Sequence, residues 1–420
     1  MTRPTLSPQR RRALQLLGVT AFHWALASRY AHAQSSTVPG PEQLRIGYQK
    51  SAVNLVILKQ QGVLEKRFPG TRVSWLEFPA GPQLLEALSV GSLEFGLTGD
   101  SPPVFAQAAG KDLLYVGAEP PKPDSSALLV LKDSPLRTLA DLKGRRIAVQ
   151  KGSSAHYLLV KAVERAGLQW ADIQPVYLAP ADARAAFERK SVDAWAIWDP
   201  FYAATELAIQ PRVLATGRGG PVHPIFARCV AMPKGQALGA KRSWGAAPAR
   251  LGNAADGSLA SQPGGKAAPA PLLVVALLAK APGLGVVTRL DWRGGDSLRT
   301  GKNWVNRPLA SSNNSFYLAA RPFVQAHPQV LRVLFDELSR ADRLAQEARK
   351  DAIKLIADFS GLDAGLVSLF IQRRPSSPVD VLGPTTVADQ QRVADAFFKL
   401  GLIPKPVNVA DIVWRPAARS

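Results

Sequence analysis

Short apolar runs of strand length alternate with helix-length stretches twice along this chain, and Pro120-Pro121-Lys122-Pro123 separates the two series. In the first, residues 44–48 alternate as a strand does, and a helix-like stretch follows through Leu58 and ends before Gly62. Residues 73–78 read as a second strand. Gly81-Pro82 opens a helix over 83–90, with proline in its first turn. A strand at 95–98, a helix at 104–109 after Pro102-Pro103 and a strand at 113–118 complete the series. The second series runs strand 127–131, short helix 139–142, strand 146–150, helix 154–166, strand 176–178, helix 181–188 and strand 194–197. Such repetition needs crossovers, so each series predicts a parallel sheet covered by helices. Two α/β units joined in this way make a ligand cleft at the carboxyl ends of their strands. Helical patterns at 330–345, 349–359, 365–371 and 387–400 are expected to return and close the first unit.

The chain has 420 residues and a formal charge of +20, which invites a nucleic-acid reading until the charge is located. Residues 1–33 hold five arginines and no acid, and residues 219–308 hold 12 Lys/Arg against three acids. That leaves +6 over the other 297 residues, an ordinary weakly basic surface without interleaved stacking aromatics. No nucleic-acid partner is expected. One cysteine allows neither an intrachain disulfide nor a metal cluster, and no cofactor is indicated.

Residues 1–33 read as an export signal. Arg10-Arg11-Arg12 precede a moderately apolar run over 13–27, and Ala31-His32-Ala33 is a small-x-small cleavage site before Gln34. Arg10-Arg11-Arg12-Ala13-Leu14 also resembles a twin-arginine signal, with alanine where that motif prefers an aromatic. Residues 219–308 differ from everything around them. They hold 14 of the 33 glycines, nine prolines, Cys229 and Met232, and read as a Gly/Pro/Ala-rich basic insertion. A tolerated loop is preferred over a segment that damages folding, because the motifs on both sides are intact, and its closure cost is modest, growing only logarithmically with loop length.

LRIGYQK at 44–50, FPAGPQLLEA at 78–87, TGD at 98–100, FAQAAG at 105–110, VGAEPPKP at 116–123, QKGSS at 150–154, QPVYLAPADARAAF at 174–187 and VDAWAIWDP at 192–200 together identify a family. They resemble the aliphatic-sulfonate-binding periplasmic proteins of ABC importers. The match resumes at NSFYLAAR, 314–321, and near Arg373-Arg374-Pro375 and Trp414. The resemblance implies a two-lobed periplasmic-binding-protein fold (type II) and an exported protein. It further implies an organosulfonate ligand, membrane permease and ATPase subunits as partners, a monomer, and no catalysis. Lobe I is expected at 43–122 and 322–420, and lobe II at 123–218 and 309–321. It also implies that Gln49, Gln83, Thr98, Gly99, Asp100, Ser153, Ser154, His156, Trp198 and Asp199 line the pocket.

Physical chemistry fits that assignment. A sulfonate is a permanent anion with three acceptor oxygens, suited to helix N-termini and neutral donors. Gly152-Ser153-Ser154 and Gly81-Pro82-Gln83 each precede or open a helix, and Trp198 would cover an alkyl tail. Simpler readings stand beside these. Ser153-Ser154 could be a helix cap, His156 a satisfied helix residue, and Asp100 and Asp199 orienting groups rather than contacts. Trp195 and Trp198 share a face on a helix but take opposite faces on a strand. Taurine, nitrate or an aromatic sulfonate are alternative ligands. A desulfinase-like enzyme would need a reactive cysteine, for which Cys229 is the one candidate, and the five histidines show no metal-ligand spacing.

Overall fold

A computed structural model describes residues 38–218, 309 and 311–416. The expected export signal and the 219–308 segment, with Cys229, lie outside the described residues. Lobe I begins with β1 (Gln43–Tyr48), α1 (Val53–Gln61), α2 (Val63–Arg67), β2 (Arg72–Glu77), α3 (Gly81–Ser89), β3 (Phe95–Gly99), α4 (Ser101–Ala108) and β4 (Leu114–Glu119). Lobe II holds β5 (Ser126–Val130), β6 (Arg146–Val149), α5 (Ser154–Arg165), β7 (Gln174–Tyr177), α6 (Pro180–Glu188), β8 (Ala194–Trp198), α7 (Phe201–Ile209) and β9 (Arg212–Thr216). The chain then returns through β10 (Ser315–Ala319), α8 (Arg321–Ala326), α9 (Pro328–Glu347), α10 (Arg349–Ser360), α11 (Ala364–Gln372) and α12 (Pro384–Lys399).

The sheets are ordered β2-β1-β3-β10-β4 and β7-β6-β8-β5-β9. The α/β two-lobed expectation holds, but the sheets are mixed rather than wholly parallel. β1 runs parallel to β2 and β3, and β6 parallel to β7 and β8. β10 is antiparallel to both its neighbours, and so is β5. These two strands are the ones the chain enters after crossing between lobes, so each crossing delivers one reversed strand. The expected place of 309–321 in lobe II is corrected by the same fact, since β10 lies inside the lobe I sheet. Phe316, Tyr317, Leu318 and Ala319 are fully buried there. Burying a large apolar side chain is worth roughly 1.5–3 kcal/mol, which fixes the strand between β3 and β4.

The helices follow from their apolar spacing. α9 buries Val330, Leu331, Leu334, Leu338, Ala341 and Ala345, one stripe at helical period, and packs on α1. α1 is buried nearly all round from Val53 to Leu58 and ends at Gly62 in the left-handed conformation. Its Asn54 finds partners in the interior, the Glu119 carboxylate and the Ser377 carbonyl, each at 3.2 Å.

Two crossings lie side by side at the hinge. Lys122 N–H donates to the Ser312 carbonyl (2.9 Å), Gly217 N–H to the Pro123 carbonyl (2.8 Å), and the Asn313 amide to the Lys122 carbonyl (3.0 Å). A Cβ on Gly217 would stand 2.3 Å from the Ser311 carbonyl oxygen, so the backbones before and after the 219–308 segment are neighbours.

Candidate ligand-binding site

The strand ends of both lobes and the hinge converge on a cavity of about 70 Å³. Lobe I supplies Gln49 and Ser51 after β1, Gly81 at the start of α3, Leu97-Thr98-Gly99 at the end of β3, and Pro102. Lobe II supplies Ser153-Ser154 at the start of α5 and Trp198-Asp199 at the end of β8. Lys122, Ser125, Asn313 and Ser315 enter from the hinge and β10, and Phe370 and Arg374 from the end of α11.

Seven of the ten sequence-predicted residues therefore meet: Gln49, Thr98, Gly99, Ser153, Ser154, Trp198 and Asp199. Three do not line the cavity. Gln83 is exposed on the first turn of α3, because that turn presents Gly81 inward and the next residues outward. Asp100 is fully buried behind the lining. Burial pushes its carboxyl up to about 6, with the Ser101 and Ser154 hydroxyls opposing, and Ser101 Oγ donates to it at 2.9 Å. Gln390 of α12 braces the same turn by donating to the Asp100 carbonyl (2.6 Å) and the Tyr115 hydroxyl (2.7 Å).

His156 is the third. Its ring lies among Phe105, Trp170, Tyr177 and Phe397, with centroids 5.2–6.1 Å away. Burial, and secondarily the Lys151 charge, hold its pKa down at about 3, so it is neutral. Its Nδ1 accepts from the Gly152 N–H at 3.1 Å, which makes it a support for the loop rather than a lining residue.

The loop before α5 is partly committed. Ser153 is the N-cap: its Oγ accepts from the His156 N–H (3.3 Å) and donates to the Gln150 carbonyl (2.8 Å). Gly152 and Ser153 N–H groups are also used, which leaves the N–H groups of Ser154 and Ala155, without partners among the described residues, as the positive end of the helix. Gly99 faces Ser154 across the lobe boundary. A Cβ at 99 would stand 1.8 Å from Ser154 Oγ and 3.1 Å from its Cβ, so glycine is what permits this approach. β8 continues through Trp198, and the strand periodicity sends Trp195 into the core and Trp198 to the cavity.

Two cations line the cavity that the sequence reading left out. Lys122 pairs with Glu119 beneath the hinge. Arg374 Nη1 is 2.8 Å from Asp342 Oδ1, whereas its Nη2 is buried, lies 3.6 Å from Glu119, and has no hydrogen-bond partner among the described residues. Glu119 is held down by Lys122 and Arg374 despite its burial, and also accepts from Tyr317 Oη at 2.8 Å. The signals were present: Lys122 sits in the proline-rich connection and Arg374 in Arg373-Arg374-Pro375. Neither could be assigned, because residue 374 reaches the cavity only through the C-terminal return. Asp199 Oδ1 accepts from the Ala203 N–H and Arg373, each at 3.0 Å, and burial pushes its carboxyl up to about 7. Among the described residues no group of three or more His, Cys, Asp or Glu could hold a metal ion, and no helix is long and apolar enough to cross a membrane.

The NMT1/THI5-like family model matches residues 73–218. The chain is 38% identical over 389 residues to a protein of Escherichia coli (strain K12) named "Putative aliphatic sulfonates-binding protein", covering 93% of each chain. It is similar to the crystal structure of the periplasmic aliphatic sulphonate binding protein SsuA from Escherichia coli, at 37% identity and a TM-score of 0.63, covering 91% of this chain and 94% of that one. It is similar also to the alkanesulfonate-binding protein SsuA from Xanthomonas axonopodis pv. citri bound to MOPS, at 39% identity and a TM-score of 0.65, covering 90% and 99%.

Proposed function

The chain belongs to the family of periplasmic aliphatic-sulfonate-binding proteins, and from that premise we propose that it captures an alkanesulfonate between its lobes and delivers it to the permease of an ABC importer. One observation carries this reading: Arg374, whose buried Nη2 lies 3.6 Å from Glu119 and makes no hydrogen bond among the described residues, lines a cavity where helix N-termini of both lobes converge. A buried donor left unpaired costs about 1–3 kcal/mol, and an anionic oxygen removes that cost.

In this reading the sulfonate oxygens take Arg374, Lys122, the Ser154 hydroxyl and the N–H groups opening α5. Thr98 and Gln49 complete the polar side, with the Gln49 amide at present donating to the Leu97 carbonyl at 3.2 Å. Leu97, Pro102, Trp198 and Phe370 form the apolar wall for the tail. Taurine is disfavoured because its ammonium needs a free carboxylate, and the lining offers Asp199, already bound to Arg373. The protein binds rather than converts its ligand, is exported through the 1–33 signal, and acts as a monomer. Lobe closure around the ligand presents the loaded form to the permease.

A thermal-denaturation panel tests the assignment. Methane-, ethane- and butanesulfonate should raise Tm in a saturable manner, by mass action on the folded state. Sulfate, nitrate and taurine at equal concentration should do so far less. A larger shift with taurine or nitrate than with any alkanesulfonate would overturn it.

A further inference from the structure

We propose that Arg373 is the positioning residue that couples ligand capture to lobe closure, by bridging the end of α11 in lobe I to the start of α7 in lobe II. The inference rests on the sulfonate reading for its ligand, but its geometry stands independently. Arg373 belongs to lobe I, since Leu366, Val367, Phe370 and Ile371 of α11 are buried in that lobe's core. All its partners belong to lobe II. Nη1 donates to Asp199 Oδ1 at 3.0 Å, Nη2 pairs with Glu206, and the guanidinium lies 3.7 Å over the Tyr202 ring. Tyr202 and Glu206 are four residues apart, hence on one face of α7, and Asp199 lies at its entrance. One planar guanidinium thus engages two carboxylates and an aromatic face, which a lysine could not reproduce.

The neighbouring residue makes this more than a surface pair. Arg374 turns into the cavity and is anchored to lobe I through Asp342, whereas Arg373 crosses to lobe II. Asp199 is held by Arg373 and also lines the cavity. Consecutive arginines therefore divide the work: one meets the anion, and the next closes the opposite wall over it. Separating the lobes must break every Arg373 contact at once, so the latch sets how fast ligand escapes and leaves encounter with the open cleft unaffected.

The test is stopped-flow binding of ethanesulfonate with small-angle scattering on Arg373→Gln, Arg373→Lys and Glu206→Gln. Glu206 does not line the cavity and is partly exposed, so Glu206→Gln remains informative if an Arg373 variant folds poorly. The expected result is at least a tenfold rise in koff for Arg373→Gln, smaller rises for the other two, unchanged kon, and a larger radius of gyration in the saturated Arg373→Gln protein. Wild-type koff and radius of gyration in Arg373→Gln and Glu206→Gln would overturn the latch. The ligand-free proteins are measured in parallel. If the wild type binds no ethanesulfonate, the sulfonate reading falls, while a radius of gyration enlarged or unchanged by Arg373→Gln still supports or overturns the latch.

Discussion

At the residue scale, the approach of Gly99 to Ser154 is the tightest constraint on the cavity, because the Ser154 side chain of one lobe packs directly on the Gly99 backbone of the other. Gly99→Ala is therefore expected to weaken ethanesulfonate binding at least tenfold by holding the lobes apart, with Ser154→Ala in the same chain restoring part of the loss. Unchanged affinity in titrations of Gly99→Ala would contradict this contact. His156 gives a pH prediction. Its pKa falls from 6.5 in the unfolded chain to about 3 in the fold, so its stabilising contribution is complete above pH 6.5 and is lost as pH falls towards 3. The loss reaches about 1.4 kcal/mol per pH unit within that window. Asp100 works in the opposite sense: its raised pKa makes its contribution complete below 3.8 and lost as pH rises through about 6. His156→Phe isolates the first effect. The variant should be about 1–3 kcal/mol less stable at pH 7.5, having orphaned the Gly152 N–H, and that deficit should shrink or reverse by pH 4.5 in urea melts. Residues beside a local signal, such as Ser153-Ser154 before a helix, were legible from sequence. Lys122 and Arg374 were not, since nothing local to them says that the hinge and the C-terminal return meet at one cavity.

At the element scale, legibility followed periodicity. α9 was readable because its buried positions recur every three or four residues, and the same argument fixes what a substitution costs. Leu334→Ala should destabilise by about 2–5 kcal/mol in chemical denaturation, while Arg332→Ala on the exposed face should stay within about 0.5 kcal/mol. Equal effects would mean that α9 does not pack on α1 as described. β10 marks where periodicity stops helping. SFYLA reads as a buried strand in any sheet, and only long-range pairing with Gly99–Phe95 and Glu119–Leu114 decides that it joins lobe I antiparallel. The reversed direction of β5 has the same origin, since a strand entered by a crossing between lobes takes its direction from the hinge and not from its own residues.

At the scale of the whole molecule, the hinge and the cavity share residues, because Lys122 and Asn313 belong to both. The backbones at Gly217 and Ser311 are already neighbours, so joining them requires no long span. Deleting 219–308 is accordingly expected to leave sulfonate affinity within about threefold of the full chain, and a clear loss of binding in the deletion would show that the segment contributes to the site. Whether the pocket lined by Lys122 and Arg374 selects a sulfonate with an alkyl tail is decided by isothermal titration of the chain from Gln34 with ethanesulfonate, using sulfate and taurine as comparators. Saturable one-to-one binding of ethanesulfonate, at least tenfold tighter than either comparator, is the predicted result. No heat from ethanesulfonate with a protein shown to be folded, or tighter binding of sulfate or taurine, would contradict it.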